Sequence, residues 1–306
     1  MKHSFKITAI LIIFFLIAQI VGILVNYQYS PIVVEKKDFR GELVNVSEYS
    51  LPYGTNPPEE IDPGISLISI IIAIAVAVGI MLILMNLKAE VFIRYWFLFV
   101  IIVAISISIN SFIIGWKYSS GIALLFGIVL GFLKIFKRGV IIHNLTEILI
   151  YPGLSAIIVP LFNILSMVIL LVAISLYDIY AVWHSGFMQK MAKYQMEKVG
   201  VFSGLFIPYI GKKEREKIKQ IKNLKKNKAM KFNVAILGGG DIVFPMILAG
   251  VVLRVQGLLP AGIIALFSTL ALTYLLYASK KGKFYPAMPY ISVGCFLGLL
   301  VNYLIF

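Results

Sequence analysis

The 306 residues include one cysteine, Cys295, and three histidines, His3, His143 and His184. A lone cysteine excludes an intramolecular disulfide and any multi-cysteine metal site, and its place in the last apolar segment makes packing its expected role. The histidines are scattered rather than paired around a glutamate as H-E-x-x-H, so the zinc-protease helix is absent and no metal is expected. There is no G-x-S-x-G motif, and no histidine is expected inside the membrane to activate a serine, which argues against serine hydrolysis. Charge is sparse as well. Only 14% of residues are charged, 28 basic against 14 acidic, while 60% are hydrophobic and mean hydropathy is +0.94. That apolar share is far above the usual one for soluble domains.

What the chain has instead is a series of long apolar runs, and about 20 apolar residues suffice to cross a bilayer as a helix. They predict an all-α polytopic membrane protein with nine transmembrane helices, at 5–25, 65–87, 91–113, 119–135, 142–161, 163–183, 232–254, 258–278 and 285–306. The runs lack strand alternation, which argues against a closed β-barrel. The first run follows Lys2 and Lys6, but it is too long for a secretory signal and no A-x-A site follows, so it is expected to remain as a helix. The fourth is short and begins beside Lys117. The fifth carries Glu147, Pro152 and Pro160 and is expected to bend. Gly127 and Gly131 form a G-x-x-x-G packing face.

Most lysines and arginines fall at the N-terminus and in the 2–3, 4–5, 6–7 and 8–9 connections, which predicts a cytoplasmic N-terminus and an external C-terminus. The chain then divides into a six-helix part at 1–183, a basic cytoplasmic loop at 184–231 and a three-helix part at 232–306, all within one membrane domain. Most of the excess behind the net charge of +14 sits in the 6–7 connection, especially in KKEREKIKQIKNLKKNKAMK at 212–231. It reads as a positive-inside segment contacting anionic lipid headgroups, not as a nucleic-acid site. Within the same loop 199–210 is apolar and broken by Gly204 and Pro208. Three readings of it stay open: an interfacial stretch, a plug over the site, or a solvated linker.

Two acids stand inside the apolar runs, and a charge in hydrocarbon is costly enough to mark function. Asp178 and Asp241 lie about five to eight and about nine or ten residues from the cytoplasmic ends of their helices, and at ~1.5 Å per residue they reach comparable depths. They can form a pair. Gly238, Gly239 and Gly240 precede Asp241 and each costs about 1 kcal/mol of helix propensity relative to alanine. A chain without side chains there lets water or a substrate backbone approach. Pro286, Ala287, Met288 and Pro289 open the last helix, predicting irregular backbone with free carbonyls at the same level. Glu147 is nearer a helix end and is expected at the interface or in packing. On these features alone a relay-acid transporter and a protease both stand, although no internal repeat favours the transporter.

The strings LYDIYAV at 176–182, GGGDIVFP at 238–245 and YPAMPYI at 285–291 together resemble the presenilin and signal peptide peptidase family of G-x-G-D intramembrane aspartyl proteases. The order and helix assignment agree across the nine-helix plan, and a cytoplasmic N-terminus resembles the presenilin branch. One departure is Met288, where the family usually has leucine; the two are close in volume. The resemblance implies an intramembrane aspartic endopeptidase that hydrolyses transmembrane segments of membrane proteins, with Asp178 and Asp241 catalytic and no cofactor. Tyr177, Gly238 and Gly240 would support the pair, and Pro286, Ala287, Met288 and Pro289 would bind the unwound substrate backbone in the manner of strand addition. Presenilins cut themselves in the 6–7 loop, where 199–210 is the apolar candidate. The implied setting is a multi-pass protein of the plasma membrane whose partners are transmembrane substrates and the bilayer; no accessory subunit is evident. A secondary transporter and a non-catalytic scaffold are the rival readings.

Overall fold

Length and hydropathy decide the architecture, because a backbone in hydrocarbon must satisfy its own hydrogen bonds. The computed structural model describes residues 5–37, 43–57, 63–137, 139–185, 194, 200, 203–209, 233–279 and 285–306. Nine helices among them are long and apolar enough to cross a membrane. They are α1 (Phe5–Gln28), α2 (Pro63–Asn86), α3 (Glu90–Phe112), α4 (Ser119–Lys137), α5 (Val140–Ile158), α6 (Ile164–Tyr180), α7 (Gly239–Gln256), α8 (Leu258–Ala278) and α9 (Met288–Ile305). The predicted spans match them within a few residues, with two exceptions. Residues 233–238, expected to begin the seventh helix, form a strand, and the ninth helix starts at Met288 rather than 285. The basic stretch at 212–231 lies outside the described residues.

Among the described residues two short antiparallel strand pairs accompany the helices. Strands β1 (Ile32–Lys37) and β2 (Leu43–Glu48) pair between α1 and α2. Strands β3 (Gly204–Tyr209) and β4 (Asn233–Gly238) pair with Gly204 opposite Gly238. The apolar stretch at 199–210 therefore contributes a sheet strand, and Leu205 within it is fully buried.

Helix α7 is the centre of the bundle, packed against α1, α5, α6, α8 and α9. Its side chains from Met246 to Leu253 are buried without interruption. Pro245 inside it has no amide hydrogen and loosens the preceding turn. Gln19 of α1, itself fully buried, donates from Nε2 to the Ile242 carbonyl within that turn at 2.9 Å. At the far end Arg254 donates to the carbonyls of Pro160 and Phe162, closing the end of α5. Gly257, at φ +95°, turns the chain directly into α8; that left-handed backbone suits a residue without Cβ. Helices α3 and α4 touch where glycine permits it: a Cβ on Gly127 would lie 2.8 Å from the Ile102 carbonyl.

Candidate active site

Asp241 is the third residue of α7, and the chain reaches it through β4 and three glycines. Gly238 is the N-cap, and its amide lies against the Asp241 carboxylate. An acid three residues inside a helix start, turned back on the cap amide, is half of a capping box and complements the helix dipole. Of the three glycines Gly239 is the one with no room for a side chain. A Cβ on Gly239 would lie 2.8 Å from Ser203 Oγ and 2.9 Å from Tyr151 Oη.

Asp178 comes from the last turn of α6, where the α-helix gives way to a wider π turn over Ala181–Ser185. It is 7% exposed. Its Oδ2 accepts the Met288 amide at 3.1 Å, and the Ala287 amide also faces it. The irregular entry to α9 thus offers Asp178 two backbone amides as hydrogen-bond donors. This helix start leaves its first amides without internal partners, and the carboxylate takes one of them. Because the contact is through the backbone, methionine serves at position 288 as leucine would. Ser175 Oγ donates to Ser292 Oγ at 2.9 Å and ties α6 to α9 beside the site.

Asp241 lies within electrostatic reach of Asp178. The Asp178 carboxylate faces the start of α9 and that of Asp241 the start of α7. Pro286 and Met288 are buried beside it, while Ala287 and Pro289 are half-buried. Tyr177 points away, 48% exposed. Among the described residues no group of three or more His, Cys, Asp or Glu side chains comes together as a metal site.

In the layer behind Asp241 one expectation is corrected and one is narrowed to its packing alternative. His143 was not expected inside the membrane, yet it lies buried in α5. Glu147, expected at an interface or in packing, is 1% exposed and ion-paired with Lys134 of α4. His143, Asn144, Glu147 and Tyr151 were overlooked as a set, although their spacing along α5 marks one polar stripe in an apolar helix.

Nine membrane-length helices among the described residues, with two carboxylates at helix starts within electrostatic reach of each other, define a multi-pass protein with an acid pair. Residues 48–306 match the family described as signal-peptide peptidase, presenilin aspartyl protease, and the chain belongs to that family. It is an intramembrane aspartyl protease. Its fold is similar to two solved structures of a presenilin family intramembrane aspartate protease. One, in a C222 crystal, has TM-score 0.62 at 17% identity, covering 98% of this chain and 99% of the other. The second, in a P2 crystal, has TM-score 0.59 at 17% identity, covering 97% of each. No curated protein matches the chain.

Proposed function

We propose that Asp178 and Asp241 are the catalytic pair of this protease and act as one unit on a water molecule. The observation that carries this reading is the meeting of the two acids at the starts of α7 and α9, with Asp178 bound to the Met288 amide. Two neighbouring carboxyls share protons, so one takes a proton from water while the other holds one to give. The oxygen of that water bonds to the scissile carbonyl carbon, and the protonated acid hydrogen-bonds the carbonyl oxygen. As the tetrahedral intermediate collapses, the C–N bond breaks and the leaving amine takes up a proton from the pair.

The substrate is a transmembrane segment that must unwind before its carbonyls can be attacked. Backbone along 286–289 supplies pairing partners for the unwound strand, with Gly238 and Gly240 leaving room beside the acid. The charge pattern supports a cytoplasmic N-terminus, an external C-terminus and the three-part division at 183 and 231, with loop 212–231 on anionic headgroups of a plasma membrane. Purified protein incubated with a single-span substrate tests the reading. Cleavage should disappear in Asp178→Ala and in Asp241→Ala, and its survival in either would assign the chemistry elsewhere.

A further inference from the structure

Behind the acid pair lies a buried polar cluster that hydrolysis itself does not use. On α5, His143, Asn144, Glu147 and Tyr151 share one face, and Lys134 of α4 closes on it. Burying a lysine, a glutamate and a histidine together is costly, and such groups persist where their hydrogen bonds fix an arrangement. Two members of the cluster, His143 and Asn144, bond to one strand. His143 Nε2 is 2.8 Å from the Gly204 carbonyl. Asn144 binds Phe206 twice, from Nδ2 to the carbonyl at 2.9 Å and from the Phe206 amide to Oδ1 at 3.1 Å. The Phe206 ring packs on the His143 ring with centroids 4.6 Å apart.

The direction of the histidine bond follows from its neighbours. Lys134 Nζ lies 3.4 Å from His143 Nδ1. An ammonium has only hydrogens to give, so Nδ1 accepts and Nε2 carries the proton that reaches Gly204. Glu147 bonds Lys134 and also stands 3.5 Å from Nε2, completing the frame. Gly204 is the register partner of Gly238, whose amide lies against the Asp241 carboxylate. Tyr151 and Ser203 meet at Gly239, the next residue.

We infer that His143 and Asn144, aligned by Lys134 and Glu147, are positioning residues that clamp β3 and through the β3–β4 ladder hold Gly238 and Asp241 in catalytic register. Substrate touches none of them. The inference rests on Asp241 being catalytic, and it predicts a loss in kcat with KM unchanged, because misplacing a reacting group by about 1 Å costs on the order of a hundredfold.

The test compares His143→Phe, which keeps an aromatic ring against Phe206 without the donor, with His143→Gln, whose amide restores it. In purified full-length protein acting on a single-span substrate, the Phe variant should lose ~10- to 100-fold in kcat with KM within about twofold, and the Gln variant should recover most of it. Wild-type kcat in the Phe variant, or equal losses in both, would overturn the inference. Should the Phe variant not fold, Asn144→Leu removes the second clamp. It should show the same kcat loss, and unaltered kcat there would overturn the inference equally. Asp241→Ala run beside them separates the two ideas: activity in that variant removes the catalytic reading itself, whereas an inactive Asp241→Ala beside a fully active His143→Phe removes only the clamp.

Discussion

The two aspartates meet at one site but are held in very different ways. Asp241 stands at the start of the central helix, whose most apolar window is 61% buried, and the residues before it are pinned by a hairpin and a polar face of α5. Asp178 stands at the end of α6, whose window is 33% buried, and its carboxylate is held by amides at the start of α9. The helix that carries Asp241 is the more deeply packed of the two, although the Asp178 side chain is itself buried and that of Asp241 only partly so. A long substrate has to reach the pair from somewhere, and the arm with fewer attachments can yield at lower cost. Position in the bundle thus sets a densely packed helix on the Asp241 side of the site against a less densely packed one on the Asp178 side.

The largest expected effect erases the distinction. Asp178→Asn and Asp241→Asn should each reduce kcat by ~10³-fold or more, since groups acting as a unit fail together. A variant keeping a tenth of wild-type turnover would break the pairing. Next in size is Lys134→Met, which leaves Glu147 charged and buried without its cation. Thermal or denaturant unfolding should show a loss of about 3–5 kcal/mol, and an unchanged midpoint would mean the Asp241 arm is not rigidified from behind.

Gly239→Ala tests the same arm more gently. Its Cβ would press on Ser203 and Tyr151, and overpacking of this kind costs ~1–3 kcal/mol. Restoration of the lost stability by Tyr151→Phe, which removes the hydroxyl in the way, would locate the clash. The smallest effect belongs to the other arm. Ser292→Ala removes one partly buried hydrogen bond between α6 and α9, about 0.5–1.5 kcal/mol. A loss as large as that of Lys134→Met would reverse the ranking of the two halves.

The sequence made the helices readable because each span is long and nearly uncharged. It also exposed both aspartates, since an acid in an apolar run has few structural explanations. Gly127 and Gly131 likewise declared their packing face. The β3–β4 hairpin was hidden for a physical reason: NVAILG at 233–238 is a short apolar run adjoining a helix, and such a run has no period that separates strand from helix. What makes it a strand is a partner at 204–209, distant in sequence. The clamp on α5 was half visible. His143, Glu147 and Tyr151 recur every four residues, the spacing of neighbours on one helix face, but their meaning depends on Lys134 and on a strand that adjacency in sequence does not reveal. Tyr177 shows the opposite case, a motif residue beside the acid whose ring points outward.

The most direct test of the acid pair is cleavage of a single-span substrate in H₂¹⁸O by wild type, Asp178→Asn and Asp241→Asn, with the products read by mass spectrometry. The expected result is a set of cuts within the span, made by wild type alone, each new carboxyl terminus carrying heavy oxygen from the solvent. Cuts made by either asparagine variant, or cuts confined to the substrate's soluble flanks, would contradict catalysis by these two acids within the membrane.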